Sequence, residues 1–101
     1  MNESYFTKFL IHADSKQARI LLKSTTRNQV KALSEIALNL NSLDIPSDVK
    51  TSISKYKTFL AKLSKKNMSV RRKQSLVSQN TTKIHKCIVN SKEILMNILE
   101  E

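Results

Sequence analysis

A chain of 101 residues with 18 Lys plus Arg against 8 Asp plus Glu carries a formal net charge of +10. At about 100 to 200 residues per domain this is one domain with one core and no room for a second catalytic unit, and a 40% hydrophobic content is too high for a disordered polybasic tail. No Gly, one Pro and no Trp remove Gly-rich phosphate loops, tight hairpins and most β architectures, so helix is the default.

Tyr5, Phe6, Phe9, Leu10 and Ala13 recur at helical spacing, which predicts a short helix from Glu3 to about His12. Two capping boxes follow, Asp14-Ser-Lys-Gln17 and Thr26-Arg-Asn-Gln29, where a side-chain oxygen covers a free amide and a Gln reaches back. Ala18, Leu21 and Leu22 form the stripe of the second helix. Val30, Leu33, Ile36, Ala37 and Leu40 form that of the third, which should stop near Asn41 and Ser42, short of Pro46. Ser47 is the expected cap of a fourth helix whose Val49, Ile53, Tyr56, Leu60 and Leu63 fall within roughly 80° of a wheel, leaving the rest of the arc to lysines. Ser69 caps a fifth helix with Met68, Val70, Leu76 and Val77 as core residues. A last helix from about Thr82 carries Ile84, Ile88, Leu95, Ile98 and Leu99 on one side, flanked by Cys87 and Ile94. The expectation is an all-α protein, a compact bundle of five to six short helices. Residues 1–79 make the basic bundle, and 80–101 make an amphipathic helix that docks on it or oligomerises, within a single domain. That final stripe is ordinary core or a candidate dimer interface.

The charge is unevenly spread. Met1 to Asp48 sums to +1; Val49 to Lys92 holds twelve basic residues and no acidic one; the last nine residues add Glu93, Glu100 and Glu101. A face selected for solubility mixes both signs, whereas an acid-free run of this length favours a polyanion, because each cation that neutralises a phosphate releases counterions. Nucleic acid is the leading partner, with an acidic protein or anionic lipid as alternatives.

Catalysis needs a nucleophile with a base, paired carboxylates or a metal cluster. His12 and His85 are far apart, and His85 and Cys87, two residues apart, fall on different helix faces with no second Cys to complete a zinc set. The carboxylates mostly stand at caps and termini. The expectation is therefore no enzyme, no metal and no cofactor. The lone Cys87 closes no intrachain disulfide and reads as a half-buried small apolar residue. No signal-like stretch and no 18-residue apolar run occur, so the expected setting is soluble and intracellular, without a membrane span.

Lys62, Lys65, Lys66, Arg71, Arg72 and Lys73 put six charges in twelve residues across the end of one helix and the start of the next. In a helix-turn-helix, Arg71 and Arg72 would stand where the second helix meets base edges, but only Gln74 and Ser75 offer short polar readers nearby, so phosphate contact without base reading is favoured. With Lys55, these residues are the expected nucleic-acid contacts, engaging about five to seven phosphates. The aromatic residues are assigned mostly to core, which argues against a stacking platform for single strands. The cluster also fits a nuclear-import signal, and Arg72-Lys-Gln-Ser75 a basic-directed kinase site.

The run Lys31-Ala-Leu-Ser-Glu-Ile-Ala-Leu-Asn39, then Ile45-Pro46, Tyr56-Lys57 with Leu60 and Leu63, Lys66-Asn-Met-Ser-Val-Arg-Arg-Lys73 and Leu76-Val-Ser-Gln79, resembles a family of small basic proteins. These are encoded by Polinton/Maverick-type virus-like transposons and adenovirus-like elements of animals. The resemblance covers about residues 15 to 79. It departs from the family's pattern at Asn41-Ser-Leu-Asp44, where family members usually have Gly, and at Asn80-Thr-Thr82, where they have a Gly-Gly-Phe apolar tail. It implies a DNA-associated core or accessory protein located in the nucleus or the virion. The principal expectation is a non-enzymatic protein binding double-stranded DNA mainly through phosphates. The alternative is a helical assembly module that docks on an acidic partner and self-associates through Ile84, Ile88, Leu95, Ile98 and Leu99. Membrane-surface binding by a basic amphipathic helix is a third reading, weakened because the apolar face of that helix suits core packing.

Overall fold

Both capping boxes form, and they set where the first turns begin. Asp14 Oδ1 accepts from the Gln17 amide at 2.8 Å while Gln17 Oε1 accepts from the Asp14 amide at 3.2 Å; Thr26 and Gln29 repeat the exchange at 3.1 and 2.9 Å. The computed structural model describes residues 3–42 and 45–99, with side chains over 5–41 and 45–97. Among the described residues the helices are α1 (Glu3–His12), α2 (Ser15–Leu22), α3 (Arg27–Ser42), α4 (Ser47–Ile53), α5 (Lys57–Ser64), α6 (Val70–Gln79), α7 (Thr81–Asn90) and α8 (Lys92–Leu99), with a 3-10 turn at Ser54–Tyr56 and no strand.

The all-helical architecture is as expected, but the count of five to six is too low because two predicted helices are broken. In the fourth, three hydroxyls bond back onto the chain: Thr51 Oγ1 to the Ser47 carbonyl, Ser52 Oγ to Val49 and Ser54 Oγ to Thr51, each at 2.8 Å. Such back-bonding competes with the regular ladder, and the backbone tightens into the 3-10 turn between α4 and α5. In the last, Ser91 is buried and its Oγ donates to the Cys87 carbonyl at 2.8 Å, so the helix turns there and restarts as α8. Ser47 is also not a cap. It is the first residue of α4, and Pro46, at φ −54° and ψ 144°, takes the cap position without a side-chain hydrogen bond.

One apolar cluster unites the chain. Phe6 and Leu10 of α1, Leu22 of α2, Leu33 and Leu40 of α3, Leu60 and Leu63 of α5, Val77 of α6 and Ile84 and Ile88 of α7 are all buried in it. α3 packs on α1, α5 and α6, and α7 packs on α1, α2, α4, α6 and α8, so these two helices organise the interior. The radius of gyration is 12.3 Å, against about 12.7 Å expected for a globular chain of this length. The described part of the last segment, α7 and α8, is thus woven into the bundle.

The burial agrees with one of the two readings of the last stripe and changes two other assignments. Ile84, Ile88 and Leu95, its described members, lie in the core of one chain, the ordinary-core alternative, because α7 meets five other described helices and α8 meets α1 and α7. The side chains of Ile98 and Leu99, and the acids Asp44, Glu100 and Glu101, lie outside the described set. Cys87 is fully rather than half buried. Tyr5 and Phe9, assigned to core by spacing, are 64% and 46% exposed, because α1 presents Phe6, Thr7, Leu10 and Ile11 to the interior. No helix among the described residues is long and apolar enough to cross a membrane.

Candidate nucleic-acid interface

The basic cluster lies where α5 ends and α6 begins. Lys65 takes an extended backbone, φ −64° and ψ 128°, which stops α5, and four residues later Ser69 Oγ accepts from the Arg72 amide at 3.2 Å and starts α6. Both helices lean on α3, and an open groove of about 400 Å³ runs between them. Lys62 and Lys65 line it from the α5 side; Arg72, Ser75 and Gln79 line it from α6 at i, i+3 and i+7, one face of a helix. Met68 and Leu76 form its partly buried floor.

Of the seven expected contacts, the fold brings together Lys62, Lys65 and Arg72, all exposed. Arg71 is exposed on the first turn of α6 but outside the groove lining. Lys66 falls in a second depression with Lys31 and Glu35. Lys55 stands apart on the 3-10 turn, its ammonium 5.3 Å from the centroid of the Tyr56 ring, a cation–π distance. Lys73 is a correction. It is only 8% exposed, and its Nζ donates to Ser34 Oγ of α3 at 3.1 Å, because one step past Arg72 on the helix rotates the side chain about 100° towards the interior. Burial holds its pKa below the ordinary lysine value. Its ammonium thus faces Ser34 in the second depression and lies outside the groove lined by Lys62, Lys65 and Arg72.

Gln74, one of the two expected readers, is also turned inward: its Nε2 donates to the Thr25 carbonyl at 2.9 Å and ties α6 to the turn before α3. Ser75 remains in the groove and accepts from Gln79 Nε2 at 3.3 Å. Gln79 and Lys31 were not singled out as site residues; the i+7 spacing from Arg72 marks the first, while only the crossing of α3 brings the second close.

The electrostatics of α6 point outward. Its first turn carries Arg71, Arg72 and Lys73 and no acid, so cations crowd the positive end of the helix dipole. Each misplaced charge costs about 0.3 to 1 kcal/mol when exposed, and a bound anion relieves it. Elsewhere, burial among α3, α5 and α7 side chains pushes the Cys87 thiol up to about 12, which keeps it a protonated apolar group. Nε2 of His85 is buried without a hydrogen-bond partner. No three His, Cys, Asp or Glu residues among those described are placed to share a metal ion. No protein-family model, curated protein or solved structure matches the chain.

Proposed function

We propose that this is a non-enzymatic protein that binds double-stranded DNA through its phosphates, with Lys62, Lys65 and Arg72 as the central contacts and Arg71 and Lys66 beside them. The observation that carries the reading is the convergence of three exposed cations from two helices on one groove, in a 44-residue stretch without a carboxylate. Gln74 is occupied, and among the described residues the groove offers Ser75 and Gln79 as its neutral polar groups, which favours backbone contact over base reading. The resemblance to the small basic proteins of virus-like transposons extends the proposal to a DNA-associated core or accessory role in the nucleus or the virion.

The test is a salt titration of binding to random duplex DNA. With Lys73 buried and Lys55 set apart, about three to five phosphates are engaged, giving a slope of log affinity on log salt of about −2.7 to −4.5. The Lys62→Ala, Lys65→Ala, Arg72→Ala triple variant flattens the slope by about 2.7 and weakens all sequences alike. A flat wild-type response, or a triple variant that binds as the wild type does, overturns the proposal.

A further inference from the structure

Lys73 is a buried cation for which the DNA reading has no use. An ammonium has three N–H donors and a full charge, and a buried one is ordinarily matched by a carboxylate. Here its hydrogen bond goes to the neutral hydroxyl of Ser34, and among the described residues it makes no ion pair. Desolvation by burial is the cause of its lowered pKa.

The surroundings are a second open groove of about 350 Å³, which shares Met68 of the α5–α6 link with the DNA-facing one and is otherwise lined by different described residues. Val30, Ser34 and Leu38 of α3, at i, i+4 and i+8, form one wall, rising from fully buried Val30 to Leu38 at 48% exposure. Met68 and Val70 form the other. Lys31 and Lys66 stand exposed at the rim, and among the described residues Glu35 is the one carboxylate in the lining, so three described cations face one described anion. Apolar walls, an excess of positive charge and an ammonium with unused donors together describe an occupant.

We infer that this groove docks an acidic amphipathic segment of a partner protein, one carboxylate completing the hydrogen bonding of Lys73 while its apolar residues cover Leu38, Met68 and Val70. A nucleic-acid backbone fits less well. Phosphates are served by exposed cations and bring nothing to cover apolar walls, and Lys73 is buried. A helix or extended peptide with acidic and apolar residues on one face satisfies both parts of the lining. The site contains none of Lys62, Lys65 and Arg72; it shares Met68 with the DNA-facing groove and Lys66 with the proposed DNA contacts, while Lys73 and Lys31 belong to it alone, so variants at those two are read apart from DNA binding.

The experiment uses the full chain and a fluorescent peptide of leucine and glutamate patterned as an amphipathic helix. Its controls are the same peptide with lysine for glutamate and a glutamate peptide without leucine. Saturable binding of the first peptide, at least tenfold tighter than either control, is expected. Lys73→Met, which fills the same volume without the charge, weakens it about tenfold or more, consistent with the loss of a charge-assisted hydrogen bond. Lys31→Glu, a change at an exposed rim residue that is not among the proposed DNA contacts, weakens it several-fold, and neither variant changes DNA affinity. The inference is overturned by absence of saturable binding, by equal binding of the leucine-free peptide, or by indifference to Lys73→Met in a folded variant. Displacement of the peptide by duplex DNA from this groove overturns it as well, as does concentration-dependent self-association abolished by the same two substitutions.

Discussion

Truncating Ile88 to Ala separates a core role for α7 from an interface role. Ile88 is 2% exposed and lies with Leu33, Leu60, Leu63, Ile84 and Cys87 where α3, α5 and α7 meet. Removing three carbons forfeits about 2.4 kcal/mol of transfer free energy at about 0.8 per methylene. If roughly half the vacated space persists, a cavity of about 40 Å³ adds about 1 kcal/mol. The sum of about 3 to 4 kcal/mol is a large share of the roughly 5 to 15 kcal/mol a domain of this size possesses. With an unfolding entropy of about 2.1 cal/mol/K per residue, it lowers the midpoint by about 15 °C. The assay is thermal and urea unfolding followed by far-UV circular dichroism over a hundredfold range of protein concentration, with sedimentation to count chains. The expected midpoint is independent of concentration for both proteins, since unfolding of one chain has no mass-action term. A wild-type midpoint that climbs with concentration, or a loss below about 1 kcal/mol, refutes the assignment of this stripe to the core.

Two further outcomes concern the buried titratable groups. Because Lys73 has its pKa lowered from 10.5 in the folded chain, the unfolded chain binds more protons between the lowered value and 10.5, and stability rises with pH across that window. Lys73→Met removes this rise and leaves stability below the window unchanged or higher by about 1 kcal/mol, read as the difference between two urea-derived pH profiles; an identical slope in both proteins contradicts it. Cys87 acts in the opposite sense. Its thiol is raised from 9.0 to about 12, so its contribution is full below pH 9.0 and is lost as pH climbs towards about 12. At about pH 8 the native thiol should react with an aromatic disulfide reagent only as fast as the core opens; rapid stoichiometric labelling without denaturant shows the burial to be wrong.

Legibility followed the range of the interaction. Both capping boxes, the Ser69 cap and the ends of α1 and α3 were readable because each is settled among residues three or four apart. The breaks at Ser54–Tyr56 and Ser91 were missed: hydroxyl-rich sequence permits back-bonding, but a helical apolar stripe continues across the break with little change in period. In the candidate site, charge density alone singles out Lys62, Lys65 and Arg72, and packing brings them to one groove. The inward turn of Gln74 and Lys73 is not legible, because their partners, Thr25 and Ser34, are 49 and 39 residues away.

The sequence by itself determined that the chain is helical, where most helices begin and end, and that positive charge gathers after Val49, since propensity, capping and composition are local or additive. Tertiary structure alone decided which face of each helix is inside. An apolar arc on α1 is wide enough to bury either Phe6 and Leu10 or Tyr5 and Phe9, and the neighbours α3, α7 and α8 select the first pair. The same crossing of α3 over α6 took Lys73 out of the basic surface and left it as a lysine ammonium facing a hydroxyl at the foot of a second groove. Charge can be counted along a chain, but whether it meets solvent depends on packing between residues far apart in sequence.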